Sequence, residues 1–467
     1  MRVAVLGGGL AGITAALASA DGGAEVVLLE RRARLGGLTW SFRRRGVSFD
    51  NGQHVFLRCC TAYLGFLDRI GARDQVAIQR RLDVPVLAPG GRRAHISRDG
   101  LPAPLHLAHS LLAYRHLSLG DRARLGRAVL GLRSLDLGDP ALDDETFGAW
   151  LARHSQRASA VERLWDLVTL PTVNVPAAEA SLALAARVFR TGLLDTNDGA
   201  DIGWSLVPLT ELHGDHGARA LDAAGVEVAL GTAVEAVDPT DDGFEVTAGE
   251  QRLAVDKVVC ALPPDAAAAL LPEASLPAVD GLGTSPIVNV HLVLDRRVTD
   301  LPLAAAVDSP VQFVFDHTAA SGMTPRGQCL TISLSAADRY VGQRPEALIA
   351  DFHRALGELL PAARGARLVD GVVSREHTAT FRGTPGTAAL RPSAATAVPG
   401  LFVAGAWCAT GWPATMEGAV RSGITAAAAL VGTGVSAMQV PGTRVHDAAT
   451  AMTPGSPPAS DLQEAPA

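Results

Sequence analysis

A chain of 467 residues is too long for one simple core and suits two domains. With 48% hydrophobic and 19% charged residues the composition is globular rather than disordered, and with aromatics at 4% the apolar content is mainly Ala, Val and Leu, which is no membrane-span signal. The net charge of -7 and pI near 6.0 give no global attraction to a phosphate backbone and argue against a nucleic-acid partner.

The opening "MRVAVLGGG" is expected to leave no room for the charged region, apolar core and cleavage site of a signal peptide. The stretch "RVAVLGGGLAGITAALASADGGAEVVLLERR" predicts a strand, a glycine turn, an Ala-rich helix and a second strand ending in an acid. Gly7, Gly9 and Gly12 fit G-x-G-x-x-G, in which the first glycine permits a tight turn, the second lets backbone approach a pyrophosphate, and the third lets helix pack on strand. The helix N-terminus then faces the phosphates, and Glu30 is placed to bind the hydroxyls of an adenosine ribose. Next, "RRARLGGLTWSF" carries a second glycine pair, Gly36-Gly37, that lets backbone approach another segment of cofactor. A nicotinamide enzyme has no general need of this, whereas a flavin held extended across the domain does.

In "FDNGQHVF", Asp50, Asn51, Gly52, Gln53 and His54 interrupt what would otherwise be one short buried strand. They either face a ligand or satisfy a buried turn. Cys59, Cys60, Cys260, Cys329 and Cys408 form no C-x-x-C pair and no zinc spacing, so no metal is expected and a reducing, cytoplasmic setting fits best. The segment from Leu101 to Leu132 reads as helical and apolar, with His106, His109, Arg115 and His116 as polar heads and Arg122, Arg124 and Arg127 following. It is either a helix resting on the inner face of an anionic membrane or a core helix. "DDETFGAWLARH" predicts a helix opening on an acidic cap. His213 and His216 in "ELHGDH" have one Asp nearby and no third ligand run, which predicts a solvated loop rather than a metal pair.

Short Val-rich strands follow in "GVEVALGTAVEAV", "FEVTA" and "RLAVDKVVCALP", and more in "PIVNVHLVL", "QFVFD" and "CLTISLS", before the helix "RPEALIADFHRALGELL". Near the end, "GLFVAGAWCATGWPATMEGAVRSGITAAAAL" is again strand, loop and helix, with Gly405 and Gly411 in the loop and a helix start near Pro413. Three such glycine segments in one chain point to FAD. The uncharged run from Ser422 to Thr443 is weak in large aliphatics and broken by Gly432 and Gly434, so it predicts a buried helix rather than a membrane span. Residues 441–467 have the Pro, Ser, Ala and acid mixture of a disordered tail.

The chain resembles the amine oxidase and phytoene desaturase superfamily of FAD proteins and, within it, the hydroxysqualene dehydroxylase (squalene-associated FAD-dependent desaturase) family of hopanoid biosynthesis. "FDNGQHVFL", "LPAPLHL", "LWDLVTLPTVNVPAAEAS", "VVSREHTATFRGTP", "ALRPSA" and "GWPATMEGAVRSG" carry the resemblance, in family order from residue 1 to about 430. It implies an α/β fold, a Rossmann-like FAD-binding domain of the amine-oxidase type with an inserted α+β substrate-binding domain. The expected FAD domain comprises 1–90, 203–285 and 396–440, and the substrate domain 91–202 and 286–395.

By the same resemblance, FAD would lie on Gly7, Gly9, Ala11, Gly12, Glu30, Arg31, Gly36, Gly37, Leu38, Gly52, Gln53, His54, Val234, Gly405, Ala406 and Met416, with His54 a candidate for proton transfer. Two positions depart from the family pattern: Leu38 stands where Arg usually follows the glycine pair, and Ala406 where Asp usually follows Gly405. The implied reaction is reductive dehydroxylation of hydroxysqualene to squalene. The alternatives are a carotenoid-type desaturase, which runs hydride the other way, and a flavin-free lipid-binding protein like the Rab-escort and GDI proteins, which share the fold. A polyprenyl substrate would favour peripheral contact with a membrane; oligomeric state is left open.

Overall fold

A computed structural model of the chain describes residues 1–323 and 327–432; the predicted tail 441–467 lies outside them. Five strands form one parallel sheet in the order Glu227–Leu230, Glu25–Glu30, Arg2–Leu6, Lys257–Cys260 and Leu401–Val403. Helices cover a parallel sheet on its faces, which is why its central strands read as unbroken apolar runs such as "RVAVL" and "VVLLE". The helices Leu10–Asp21 and Met416–Val431 pack together so closely that a Cβ on Gly423 would stand 2.4 Å from the Ala11 carbonyl oxygen. Only glycine fits there. Buried Glu417 accepts hydrogen bonds from the amides of Ala62 (3.2 Å) and Tyr63 (2.7 Å), so the last helix caps the first turn of helix Thr61–Arg69.

A seven-stranded sheet runs in the order Leu368–Thr380, Ser285–Leu294, Gln328–Leu334, Phe313–Asp316, Leu303–Ala306, Asp83–Ala88 and Arg92–Ser97. Strand Asp83–Ala88 pairs here rather than with the nucleotide-type sheet, although it lies within residues 1–90. The strand Ser285–Leu294 shows how the sheet faces the site. Val288, Val290, Leu292 and Leu294 point into a core shared with helix Pro345–Leu359, so by the two-residue period Asn289 and His291 point the other way.

Four local expectations are corrected. The segment 101–132 is not one helix: a short turn at Leu105–Leu107 and helix Ala108–Ala113 end at buried Tyr114, and a new helix, Leu119–Ser134, starts on the Ser118 cap. His106 and His116 are buried rather than surface heads. Helix Phe147–Arg153 is capped by Thr146, whose hydroxyl accepts from the Ala149 amide at 3.1 Å, not by an acid. Finally, His213 is fully buried in a helical turn, Thr210–Asp215, and is no solvated loop residue. Among the described residues no helix is long and apolar enough to cross a membrane.

Candidate active site

The two glycine segments near the amino terminus meet. Gly7 has φ +103° and a Cβ there would stand 2.8 Å from the Ala261 carbonyl oxygen, while a Cβ on Gly12 would overlap the Gly7 carbonyl. Gly37, at φ +56°, lies so close to Gly9 that its Cβ would be 2.8 Å from the Gly9 Cα, and the Gly36 amide donates to the Gly8 carbonyl at 2.8 Å. The result is a floor of bare backbone. Helix Leu10–Asp21 starts on Gly9 with no side-chain cap, and Ala11 lies buried in its first turn. Its first amides are therefore free for an anion.

Buried Glu30 ends the second strand against this floor, its two carboxylate oxygens accepting from the amides of Gly8 (2.7 Å) and Arg32 (2.8 Å). Each oxygen keeps a further acceptor site for a hydroxyl. The Thr232 amide donates to the Glu30 carbonyl at 2.9 Å, and Val234 lies two residues on, in irregular chain after strand Glu227–Leu230, partly buried. Arg31 lies exposed at the strand end.

Exposed Leu38 brings no charge, but the guanidinium groups of Arg32 and Arg34 each donate to the Gly37 carbonyl at 3.2 Å, and Arg34 stacks 4.5 Å from the Trp40 ring centre. Two cations thus stand beside the turn that lacks one at position 38.

The polar cluster from Asp50 to His54 bridges this floor and the seven-stranded sheet. Asn51 Nδ2 donates to the Leu38 carbonyl (2.6 Å) and to Glu376 Oε1 (3.0 Å), and the Asn51 carbonyl accepts from Ser374 Oγ (2.7 Å) and Asn289 Nδ2 (3.3 Å). Asp50 Oδ1 accepts from Ser41 Oγ at 2.6 Å and from the Leu209 amide at 3.1 Å. The Gln53 amide donates to Asn289 Oδ1 at 3.4 Å, and a Cβ on Gly52 would meet Asn289 Nδ2 at 3.2 Å and His54 Nε2 at 3.5 Å. Asp50 and Asn51 fix the loop by these hydrogen bonds. Asn289, Ser374 and Glu376, which hold it from the sheet side, are additions that the sequence did not single out.

Electrostatics around the cluster favour neutral rings. Burial lowers the His54 pKa, opposed by the charges of Asp50 and Glu376. Burial, assisted by His54, pushes His213 down to about 3, and its Nε2 shares a 2.7 Å hydrogen bond with the Tyr63 hydroxyl. His291 is likewise pushed to about 3, by burial and then His317.

At the third glycine segment, Gly405 has φ +155°, and its amide donates to Ser422 Oγ at 2.8 Å. The last helix starts at Met416 on the Thr415 cap, not at Pro413. Ala406 has no acidic side chain, and its loop is organised by a residue the sequence reading left without a role. Buried Arg391 donates to the carbonyls of Ala406 (3.3 Å), Trp407 (3.3 Å) and Cys408 and to Thr410 Oγ1 (3.4 Å). Its guanidinium lies 4.8 Å from the Phe381 ring centre. Burial lowers its pKa to about 10, which leaves it charged at neutral pH. No group of side chains able to hold a metal is present among the described residues.

Backbone floor, uncapped helix and buried acid fit a dinucleotide, and the comparisons agree. The model of the flavin containing amine oxidoreductase family matches residues 10–431. The chain is 28% identical to a hydroxysqualene dehydroxylase of Rhodopseudomonas palustris, covering 91% of this chain and 97% of the relative. It is 24% identical to a 15-cis-phytoene desaturase of Synechococcus elongatus, covering 92% and 96%. Among solved structures, an oxidoreductase from Methanosarcina mazei (17% identical, 91% of this chain and 99% of that one) superposes with a TM-score of 0.71, and cyclohexylamine oxidase from Brevibacterium oxydans (21%, 92% and 98%) with 0.68. The chain therefore belongs to the flavin containing amine oxidoreductase family and is an FAD-dependent oxidoreductase.

Proposed function

We propose that the protein reduces a polyprenyl allylic alcohol, hydroxysqualene, to squalene, with the five-stranded parallel sheet and the helices packed on it as the FAD domain and the seven-stranded sheet with its helices as the substrate domain. FAD supplies hydride transfer when bound. Gly7, Gly9 and Gly12 offer backbone to its pyrophosphate, Glu30 binds the ribose, and Gly36 and Gly37 give close approach along its length. The observation that carries the reading is the polar bridge from Asn51 to Asn289, Ser374 and Glu376, which sets His54 at the junction of the two sheets.

Dehydroxylation needs a proton on the leaving oxygen, which departs as water while hydride reaches the carbon. His54 is the candidate donor by its place in this loop; burial favours its neutral form at rest, and the charges of Asp50 and Glu376 only oppose that shift. Support for a polyprenyl substrate comes from relatives named hydroxysqualene dehydroxylase and phytoene desaturase that match along nearly their whole length. Leu101, Leu105, Leu112, Leu119 and Leu130, which make up most of the large exposed apolar side chains among the described residues, suit a face resting on a bilayer that holds such a substrate. Reduced protein with hydroxysqualene and oxidised protein with phytoene, each followed by product identification, form the test. Squalene in the first supports the proposal; desaturated phytoene in the second alone favours the desaturase.

A further inference from the structure

One cavity has no part in the site above. Strand Arg92–Ser97 and helix Ala108–Ala113 help to line a space of about 330 Å³ with mainly basic walls. Arg93 and Arg115 are exposed on this wall and have no ion-pair partner among the described residues. Arg98 also lines it, but its charge is answered by buried Asp201 at 2.6 and 2.8 Å. Asp99 is the one acid of the lining, and its Oδ1 accepts from the Leu101 amide at 2.9 Å. A net positive hollow remains.

The decisive group is His106, which lines the cavity, is 1% exposed, and has a hydrogen-bond partner on neither ring nitrogen. A buried ring with both nitrogens unmet costs free energy unless something polar enters the cavity. Burial and then Arg98 lower its pKa, so at neutral pH it offers one N–H and one lone pair without a charge. The apolar surroundings say where the ligand comes from. Leu105 is 56% exposed beside His106, and Leu112 is 64% exposed beside Ala113 of the lining.

We propose that this cavity binds the headgroup phosphate of an anionic phospholipid, whose charge no headgroup ammonium offsets as choline does in phosphatidylcholine, with Arg93 and Arg115 pairing with it, His106 donating to it, and the flanking leucines seated among the acyl chains. The proposal rests on the membrane contact suggested above and adds headgroup selectivity to it. Guanidinium groups suit phosphate because they offer parallel N–H donors.

The test is co-sedimentation of the FAD-loaded protein, at fixed ionic strength, with phosphatidylcholine vesicles and with the same vesicles doped with phosphatidylglycerol. Doped vesicles should bind more tightly. Arg93→Gln and Arg115→Gln should each weaken that binding about fivefold, and His106→Phe by a similar factor, with binding to plain vesicles unchanged. His106→Phe removes no charge at neutral pH, so a merely electrostatic surface would not register it. Flavin content and melting temperature report folding, and the two exposed arginines keep the test open should His106→Phe misfold. Equal binding of wild type to both vesicle types, or undiminished preference in the three variants, would overturn the headgroup site while sparing the membrane contact. Binding to neither vesicle would overturn both. Inorganic phosphate or pyrophosphate bound in calorimetry without vesicles, and lost in Arg93→Gln and Arg115→Gln, would show a soluble phosphate as the ligand and overturn the lipid assignment.

Discussion

Replacing Glu30 tests how the first glycine turn and the ribose share one carboxylate. Glu30 is 7% exposed and accepts from the Gly8 and Arg32 amides at 2.7 and 2.8 Å. Each is a charge-assisted bond worth about 1.5–3 kcal/mol, and an amide left unmet costs a comparable amount. Glu30→Ala removes both acceptors and the proposed ribose contact, so apoprotein should melt at a lower temperature and FAD should bind about ten- to a hundredfold more weakly. Glu30→Gln is the sharper variant. It keeps the volume but offers one acceptor oxygen where two amides donate, and it turns an NH₂ toward one of those donors. FAD dissociation followed by flavin fluorescence should therefore weaken in Glu30→Gln nearly as much as in Glu30→Ala. Unchanged FAD affinity in both variants, with correct folding, would refute the assignment of the acid.

Further outcomes follow from the same geometry. Gly37→Ala should abolish FAD retention with little loss of secondary structure, because its Cβ would stand 2.8 Å from the Gly9 Cα on a backbone at φ +56°; flavin content of the purified variant measures it. Ala406→Asp should tighten FAD by up to about tenfold by supplying a carboxylate that buried Arg391 can orient, and weaker binding in a folded variant would show a loop adapted to alanine. His213 and His291, held neutral at about 3 against about 6.5 when unfolded, leave the folded state with fewer protons than the unfolded one as pH falls below 6.5. Stability should then drop by about 1.4 kcal/mol per pH unit per histidine between those values, and His291→Gln should flatten the slope in denaturant titrations at several pH values.

The glycine architecture was legible because a turn that excludes a Cβ leaves its requirement in the local sequence: Gly7, Gly12, Gly36 and Gly37 stand where φ or crowding demands glycine, whereas a Cβ on Gly9 would make only an ordinary contact at 3.8 Å. The unusual polarity of residues 50–54 was legible for the same reason, since a short strand has no local use for it. What holds that segment was hidden. Asn289, Ser374 and Glu376 lie more than two hundred residues away, and a polar residue on an alternating strand reads as solvent-facing until the sheet is assembled. His213 misled because "ELHGDH" is polar by composition, whereas its partner, the Tyr63 hydroxyl, comes from another helix. The break at residues 114–118 was readable after all. Ser118 and Asp121 form a helix-start pair, with the Asp121 amide donating to Ser118 Oγ at 3.1 Å, and that signal argues against one continuous helix.

The most direct test of the central claim is an anaerobic single turnover in which chemically reduced holoprotein is mixed with hydroxysqualene and followed by flavin absorption and lipid analysis. The account predicts that the oxidised flavin band returns as squalene appears in equal amount. A band that stays bleached with hydroxysqualene, while oxidised protein is bleached by phytoene, would contradict it.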